Sequence, residues 1–333
     1  AVIKDNIFTA LLALFFIIYI DICIQHETAI GIKKMIALFL VGILVCLSRN
    51  NGVYVVIPSM VCLILYMQKE KSRYVIFMIC LVVCYQGIEG CVAPKLGVEK
   101  GSVKEMLSIP FQQTARYIKE YPDEVTLKEK NVINAVLSYD GIKENYNPEI
   151  SDFVKNTFRE GSEDKLDEYF KVWFEMFLKH PMVYIEATLN NTFSYYYPFY
   201  NEKVLGDYQF YIKGAPVATG YFDIHYITPV KIRTVLAEYA QIWKKVPGFS
   251  QLVDPGFYTW ILLLLAGYLI YRKRTRDILL LIGPAINILI CIASPVNGLL
   301  RYALPLMACT PLLIYLTVRE EKESETEGEN RPL

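Results

Sequence analysis

Seven long apolar blocks constrain this chain more than any other feature of its sequence. A helix needs roughly 20 residues to cross the ~30 Å hydrocarbon core of a bilayer, and several blocks approach that length. With 54% hydrophobic residues, the chain is also too apolar for an ordinary soluble protein of 333 residues. The sequence therefore predicts an all-α, polytopic transmembrane helix bundle. The blocks cover about residues 7–25, 35–48, 53–67, 74–92, 257–271, 277–293 and 299–318.

The placement of Lys and Arg predicts how the bundle sits in the membrane. If the loop at 26–34 is cytoplasmic, then 68–73 and 272–276 are cytoplasmic too, and these loops hold nine Lys or Arg against three in the opposite short segments. Cytoplasmic loops carry the excess of positive charge. This orientation predicts a multi-pass cell-membrane protein with a large loop outside and a cytoplasmic C-terminus. It also leads us to expect a further N-terminal portion upstream, with a short translocated N-terminus as the alternative.

Four regions follow from the blocks and the charges. Residues 1–92 hold transmembrane helices 1–4, and residues 256–318 hold helices 5–7. Between them, residues 93–255 form an extracytoplasmic, mainly helical domain. The acidic tail at 319–333 is polar throughout, which predicts disorder.

Two aromatic patterns stand out in the long middle segment. The run "NNTFSYYYPFY" (190–200) fits either a contact with the outer leaflet or an aromatic core. The second pattern predicts a helix with one buried apolar face, because its large side chains recur three and four residues apart. That face comprises Leu166, Tyr169, Phe170, Trp173, Phe174 and Phe177.

Polar residues at three helix ends suggest a site at the outer membrane boundary. Arginine suits phosphate because its planar guanidinium donates two parallel hydrogen bonds, and lipid phosphates lie at this depth. The alternatives are an arginine that reaches the headgroups on its own and an ordinary Asn-Gly turn. The candidates are Lys4 and Asp5, then Arg49, Asn50 and Asn51 in "SRNNGVY" (48–54), and Asn297, Arg301 and Tyr302 in "SPVNGLLRYALP" (294–305).

Several classes of function lack support in the sequence. Lys plus Arg equals Asp plus Glu at 34 each, so the net charge gives no indication of a nucleic-acid partner. The three histidines are far apart, and the eight cysteines lie in or beside apolar blocks, which indicates inert buried thiols. Phosphate-binding glycine loops and GxSxG are absent. No charged residue lies at the centre of a block, which disfavours an ion-coupled transporter.

Several short motifs of this sequence resemble those of the GT-C superfamily, polytopic glycosyltransferases that use polyprenyl-phosphate sugars. The resemblance rests on a "KD" pair that opens a membrane helix, the "SRNNG-Y" hairpin tip, the large outer insertion and the "SP-NG-LRY-LP" helix start. It is closest to an uncharacterised glycosyltransferase-like family of Gram-positive bacteria, through "PFQQTARY" (110–117) and "YNPEISDFVK" (146–155). The likeness covers most of the chain.

The resemblance implies transfer of a sugar from a polyprenyl-phosphate donor in the membrane lipid to a glycan or protein acceptor outside. The main catalytic acid of GT-C enzymes lies in the first outer loop, which we expect upstream of this chain. Asp5 matches a second acidic position loosely, where it assists a divalent cation (Mg²⁺ or Mn²⁺) or the acceptor. Arg49 and Arg301 match basic positions near the lipid phosphate, and Tyr302 accompanies Arg301.

Three polar residues of the middle segment are further candidates for binding sugar hydroxyls. Gln112, Gln113 and Arg116 share a predicted helix, and Gln112 and Arg116 lie four apart on one face. A solvated helix face is the alternative interpretation. For the whole protein, the alternatives are a lipid-linked glycan transporter, polymerase or ligase, and a non-catalytic membrane scaffold.

Overall fold

The structure is a computed structural model that describes residues 4–25, 31–67, 69–98, 101–199, 229–246, 248–293 and 296–329. Within these ranges the chain is helical, with isolated bridges but no β-strand. This confirms the all-α prediction for the described residues. The helices are α1 (Lys4–Ile24), α2 (Ile32–Ser48), α3 (Gly52–Tyr66), α4 (Lys71–Gly87), α5 (Ser108–Glu120), α6 (Leu127–Val136), α7 (Tyr139–Asn145), α8 (Asp152–Lys155), α9 (Leu166–Lys179), α10 (Pro181–Thr192), α11 (Val230–Lys245), α12 (Pro255–Tyr271), α13 (Ile282–Ile292) and α14 (Leu300–Glu329).

Four stretches of helix among the described residues are long and apolar enough to cross a membrane. They are Asp5–Ile24, Lys71–Leu96, Thr275–Ile292 and Leu300–Thr317. The second passes from α4 through a π-helical turn, and the third begins as a 3-10 helix before α13. Helices α3 and α12 are apolar but shorter.

Helix α1 lies at the centre of the apolar bundle. Its Phe15, Phe16 and Tyr19 are buried against α2, α3 and α14. Large apolar side chains also face outward, and Val83 on α4 is 62% exposed. A bundle that is apolar both inside and outside fits a lipid environment, because a water-soluble bundle carries polar residues on its outer faces.

The middle segment has a hydrophobic core of its own. Phe111 and Tyr117 of α5 pack there with residues of α6, α9 and α10. On α9 the buried face is rotated from the predicted one: Tyr169 is buried as expected, but Phe170 and Phe174 are exposed. Val172 and Met176 are buried in their place. The aromatic spacing therefore located the helix correctly and misjudged which side faces its neighbours.

One buried carboxylate in this core shows how the segment accommodates charge. Glu129 closes a capping box with Thr126 at the start of α6 and accepts a hydrogen bond from Lys179 at 2.6 Å. Burial alone would raise the pKa of Glu129, but the hydrogen bonds from Lys179 and Thr126 outweigh it, so the pKa is lowered. The ionised form thus holds α6 and α9 together.

The C-terminal helix continues beyond its apolar part. The backbone of α14 is helical to Glu329, within the segment (319–333) whose polarity predicts disorder. This part of the sequence, "REEKESETEGE", is rich in Glu, Lys and Arg, which favour helix. Polarity alone therefore did not predict its backbone.

Candidate functional site

A tight turn between α2 and α3 sets the position of Arg49. The Arg49 backbone is extended (φ −158°, ψ 135°), and its carbonyl accepts a hydrogen bond from the Gly52 N–H at 2.8 Å. A Cβ on Gly52 would lie 2.4 Å from the Val45 carbonyl oxygen, so only glycine allows α3 to start this close to α2. The Asn-Gly pair is thus a structural turn, and it leaves the arginine side chain available for other contacts.

Arg49 pairs with Asp5, which lies in the first turn of α1. Arg49 Nη1 lies 2.6 Å from Asp5 Oδ1, and the two side chains are only 16% and 4% exposed. Because α1 begins where α2 ends, residues that lie 44 positions apart in the chain form one ion pair. A charged pair this well shielded from water interacts strongly, and each partner depends on the other.

The ring of Tyr302 brings a second arginine to the same place. The Cζ of Arg49 lies 4.6 Å from the Tyr302 ring centroid, and the Cζ of Arg301 lies 5.0 Å from it. Arg301 also donates from Nη2 to the Tyr302 hydroxyl at 3.1 Å. Phe8 completes the group, 5.9 Å from the Arg49 guanidinium. We call Asp5, Phe8, Arg49, Arg301 and Tyr302 the arginine cluster.

Among the contacts described, the arginine cluster joins two guanidinium groups and one carboxylate. The face of the Tyr302 ring attracts both cations. Within the described residues, the guanidinium of Arg49 makes no hydrogen bond besides that to Asp5. A shielded guanidinium with unused N–H donors, beside an exposed second arginine, suits an anion with several oxygens.

The neighbouring candidates lie near the arginine cluster without joining it. Asn50 is exposed at the tip of the turn, and its amide faces Gly101 at the start of the middle segment. Asn51 precedes α3 and makes no side-chain cap there. Lys4 is the first residue of α1, and its side chain lies outside the described residues.

Asn297 contacts the middle segment. Its side chain is buried, and its Oδ1 accepts hydrogen bonds from the N–H and the hydroxyl of Ser194. Its Nδ2 donates to Glu149 at 3.3 Å, and its own N–H donates to the Glu149 carbonyl at 2.9 Å. Tyr195 bonds the same loop through the Val296 carbonyl and the Leu299 N–H. We call Glu149, Ser194, Tyr195 and Asn297 the junction, because it ties the middle segment to the loop before α14.

The candidates on α5 belong to the interior of the middle segment. Gln112 is 1% exposed and donates to the Asn147 carbonyl, which rules out a solvated helix face for it. Gln113 bonds Thr188 and accepts from Trp173, and Arg116 pairs with glutamates of its own and a neighbouring helix. These contacts join α5 to α9 and α10, so the three residues act as structural links here. They do not contact the arginine cluster.

The carboxylate expected to assist a divalent cation is Asp5, and its Oδ1 is paired with Arg49. Within the described residues, no group of three or more His, Cys, Asp or Glu side chains is arranged to hold a metal ion.

Sequence reasoning missed some residues of the site. Phe8 lies one helical turn after Asp5, so helical spacing alone places it on the same side of α1. Tyr195 gave a weaker signal, since the run at 190–200 fitted both a core and a membrane contact. The structure divides that run: Tyr195 is buried, whereas Tyr197 and Phe199 are exposed.

Comparison with known proteins adds one match. Residues 1–331 match the model of a protein family described as a family of unknown function (DUF6020). Neither the comparison with curated proteins nor that with solved structures found a match.

Proposed function

The chain belongs to the DUF6020 family, and from the geometry of its arginine cluster we propose that it is a membrane glycosyltransferase. In this proposal seven helices cross the bilayer, the middle segment lies outside and the C-terminus lies in the cytoplasm. The cluster binds the phosphate of a polyprenyl-phosphate-linked sugar at the outer leaflet. The sugar then passes to a glycan or protein acceptor outside the cell.

One observation carries the proposal: two arginines from distant helix ends flank the same tyrosine ring. Arg49 and Arg301 lie 252 positions apart in the chain, yet both guanidinium carbons lie within 5.0 Å of the Tyr302 centroid. Two arginines that each contacted a separate lipid headgroup would not need to lie beside the same tyrosine ring. Their convergence supports a single anionic ligand, and the apolar helices around them favour one with a lipid tail.

The reaction requires the arginine cluster to stabilise negative charge on the leaving phosphate. The bond between the sugar C1 and the phosphate oxygen breaks, and C1 forms a bond to an acceptor hydroxyl oxygen, whose proton passes to a base. The electron pair stays on the phosphate, so polyprenyl phosphate leaves with one more negative charge than it had in the donor. An excess of positive charge at fixed positions stabilises such a charge as it develops. Arg49 and Arg301 therefore serve the leaving group.

Asp5 is better explained as a positioning residue than as the base. Its carboxylate is 3% exposed and holds Arg49 at 2.6 Å, so a second role in taking the acceptor proton would break this pair. The described residues suggest no other carboxylate at the cluster. We leave the base unassigned.

Binding of polyprenyl phosphate tests the proposal directly. The purified protein in lipid nanodiscs is titrated with polyprenyl phosphate and, as a matched probe, with the polyprenol that lacks phosphate. Arg49→Gln and Arg301→Gln should each weaken polyprenyl phosphate binding about tenfold to a hundredfold, because a hydrogen bond to a charged group is worth ~1.5–3 kcal/mol. Polyprenol binding should not change.

Arg73→Gln is the control, since Arg73 also lies beside a membrane helix but pairs with Glu70, away from the cluster. Arg301 is exposed, so Arg301→Gln keeps the test valid even if Arg49→Gln unfolds. Equal binding of phosphate and alcohol would refute the phosphate site. Binding without sugar transfer from a panel of polyprenyl-phosphate sugars, together with movement of the lipid across sealed vesicles, would favour a transporter instead.

A further inference from the structure

Helix α11 has an apolar face whose side chains are largely exposed. Five large side chains of this helix recur three and four residues apart, which places them on one side of it. Each is about half exposed or more, from 49% for Leu236 to 62% for Val235. The five are Ile232, Val235, Leu236, Tyr239 and Ile242.

Basic residues outnumber acidic ones in the sequence of this helix. Lys231 and Arg233 lie near its start, the sequence adds Lys244 and Lys245 at its end, and Glu238 is its single acidic residue. An apolar stripe with basic residues around it is typical of helices that lie in the membrane surface, with the stripe among the acyl chains and the cations at anionic headgroups.

The chain keeps α11 close to a membrane boundary. Nine residues separate Lys245 from Pro255, where the apolar helix α12 begins. The described ones among them form turns that include the 3-10 helix Ser250–Val253. Phe249 and Leu252 in this connection are also exposed, so the apolar surface continues from α11 towards α12.

Exposed aromatic side chains mark the same boundary. The Trp260 indole N–H near the start of α12 donates to the Tyr196 carbonyl at 2.9 Å, which brings the 196–199 turn to this end of the helix. Tyr197, Phe199 and Trp260 are 49%, 63% and 49% exposed. Amphipathic aromatic rings collect where hydrocarbon meets headgroups, so they indicate the level of the membrane surface.

We propose that α11 is an interfacial helix whose apolar face lies in the membrane surface at which α12 begins, with a preference for anionic lipids. The stripe, the surrounding cations, the short connection and the aromatic rings each point to lipid rather than to a protein partner. This inference does not depend on the glycosyltransferase proposal, and either one can fail without the other.

Nitroxide labels on the two sides of α11 test this inference. Val235→Cys and Tyr239→Cys probe the apolar face, and Thr234→Cys is the matched control, one position before Val235 and turned away from the apolar face. The background carries Cys80→Ser, Cys84→Ser and Cys91→Ser, since the other five cysteines are buried. The full chain is reconstituted in vesicles of phosphatidylcholine and phosphatidylglycerol, and collisions of each label with oxygen and with a water-soluble nickel chelate are measured.

We expect labels at 235 and 239 to collide mainly with oxygen, which concentrates in lipid, and the label at 234 mainly with the nickel chelate. If 235 and 239 are shielded from both reagents, protein covers the face and the proposal is wrong. If all three labels meet the nickel chelate, the helix lies in water and the proposal is wrong as well. In phosphatidylcholine alone the oxygen preference at 235 and 239 should weaken; an unchanged preference would remove the anionic part of the proposal.

Discussion

At the scale of single residues, the Asp5 and Arg49 pair shows why these two side chains must be considered together. Asp5 is nearly buried and Arg49 is mostly shielded, so each charge relies on the other to offset its lost hydration. The negative face of the Tyr302 ring attracts the Arg49 guanidinium. The Tyr302 hydroxyl accepts a hydrogen bond from Arg301. A carboxylate and an aromatic ring thus allow two cations to share a small volume.

Asp5→Asn should therefore destabilise the protein, because it leaves the Arg49 charge without its partner. We expect a loss of about 2 kcal/mol, below the 3–5 kcal/mol typical of fully buried pairs, because Arg49 retains some contact with water. Thermal unfolding in detergent micelles measures the change. Adding Arg49→Gln should restore part of the loss, since two neutral amides can hydrogen-bond each other.

Glu70→Gln is the matched control, because Glu70 pairs with Arg73 in an exposed position and should cost less than about 0.5 kcal/mol. If Asp5→Asn is as mild as this control, the pair does not hold the site together. Additive losses in the double variant would contradict coupling between Asp5 and Arg49.

At the scale of elements, the turn between α2 and α3 decides where Arg49 lies. Gly52 makes the turn possible by letting the start of α3 approach the Val45 backbone. The contact is between backbone and backbone, so no side-chain rotation can relieve a clash there. The arginine position is therefore tied to a residue that never touches a ligand.

Gly52→Ala should weaken this hairpin, because its new Cβ would meet the Val45 carbonyl oxygen at 2.4 Å. Overpacking of this kind costs typically 1–3 kcal/mol, and we expect a loss in the upper part of that range in thermal unfolding. Gly87→Ala on α4 is the control, since a Cβ there meets nothing within 4 Å. Equal melting temperatures for the two variants would show that the close approach is not required.

At the scale of the whole molecule, the junction couples the middle segment to the arginine cluster. Asn297 binds Glu149 and Ser194 of the middle segment, and the chain reaches Arg301 only four residues later. Gly298 in the same loop has φ +66°, and a side chain there would collide with Ser194. The position of Arg301 and Tyr302 thus depends on how the middle segment packs against the apolar helix bundle.

Asn297→Ala should loosen both sides of this contact, because the buried Ser194 N–H and hydroxyl lose their acceptor. Leaving buried donors unpaired costs ~1–3 kcal/mol. Amide hydrogen exchange within 193–197 and 296–302 should accelerate about tenfold or more. Polyprenyl phosphate binding should weaken although both arginines remain.

Asn145→Ala is the control for this variant, since Asn145 is exposed and its side chain bonds only the nearby Gly141 carbonyl among the contacts described. Amide hydrogen exchange could instead accelerate only in the altered loop while polyprenyl phosphate binding stays unchanged. The junction would then be a local contact without influence on the arginine cluster.

The sequence by itself determined that this protein is helical and carries stretches apolar enough to cross a membrane. Apolar runs are a local property, so the blocks predict membrane helices without knowledge of any contact. The same local logic placed Arg49 and Arg301 at helix ends and offered an Asn-Gly turn as one interpretation of residues 51 and 52. It could not decide between binding and a solvated helix face at Gln112, which packing buries.

Only the tertiary structure decided which of the candidates meet. Asp5 lies near the start of α1, Arg49 directly after α2 and Tyr302 near the start of α14, and their contact depends on how these helices pack, which residue spacing does not encode. The same packing places the Asn297 side chain against Glu149 and Ser194 in the junction. Residue type fixes what a side chain can bind, whereas the arrangement of helices fixes which partners lie within reach.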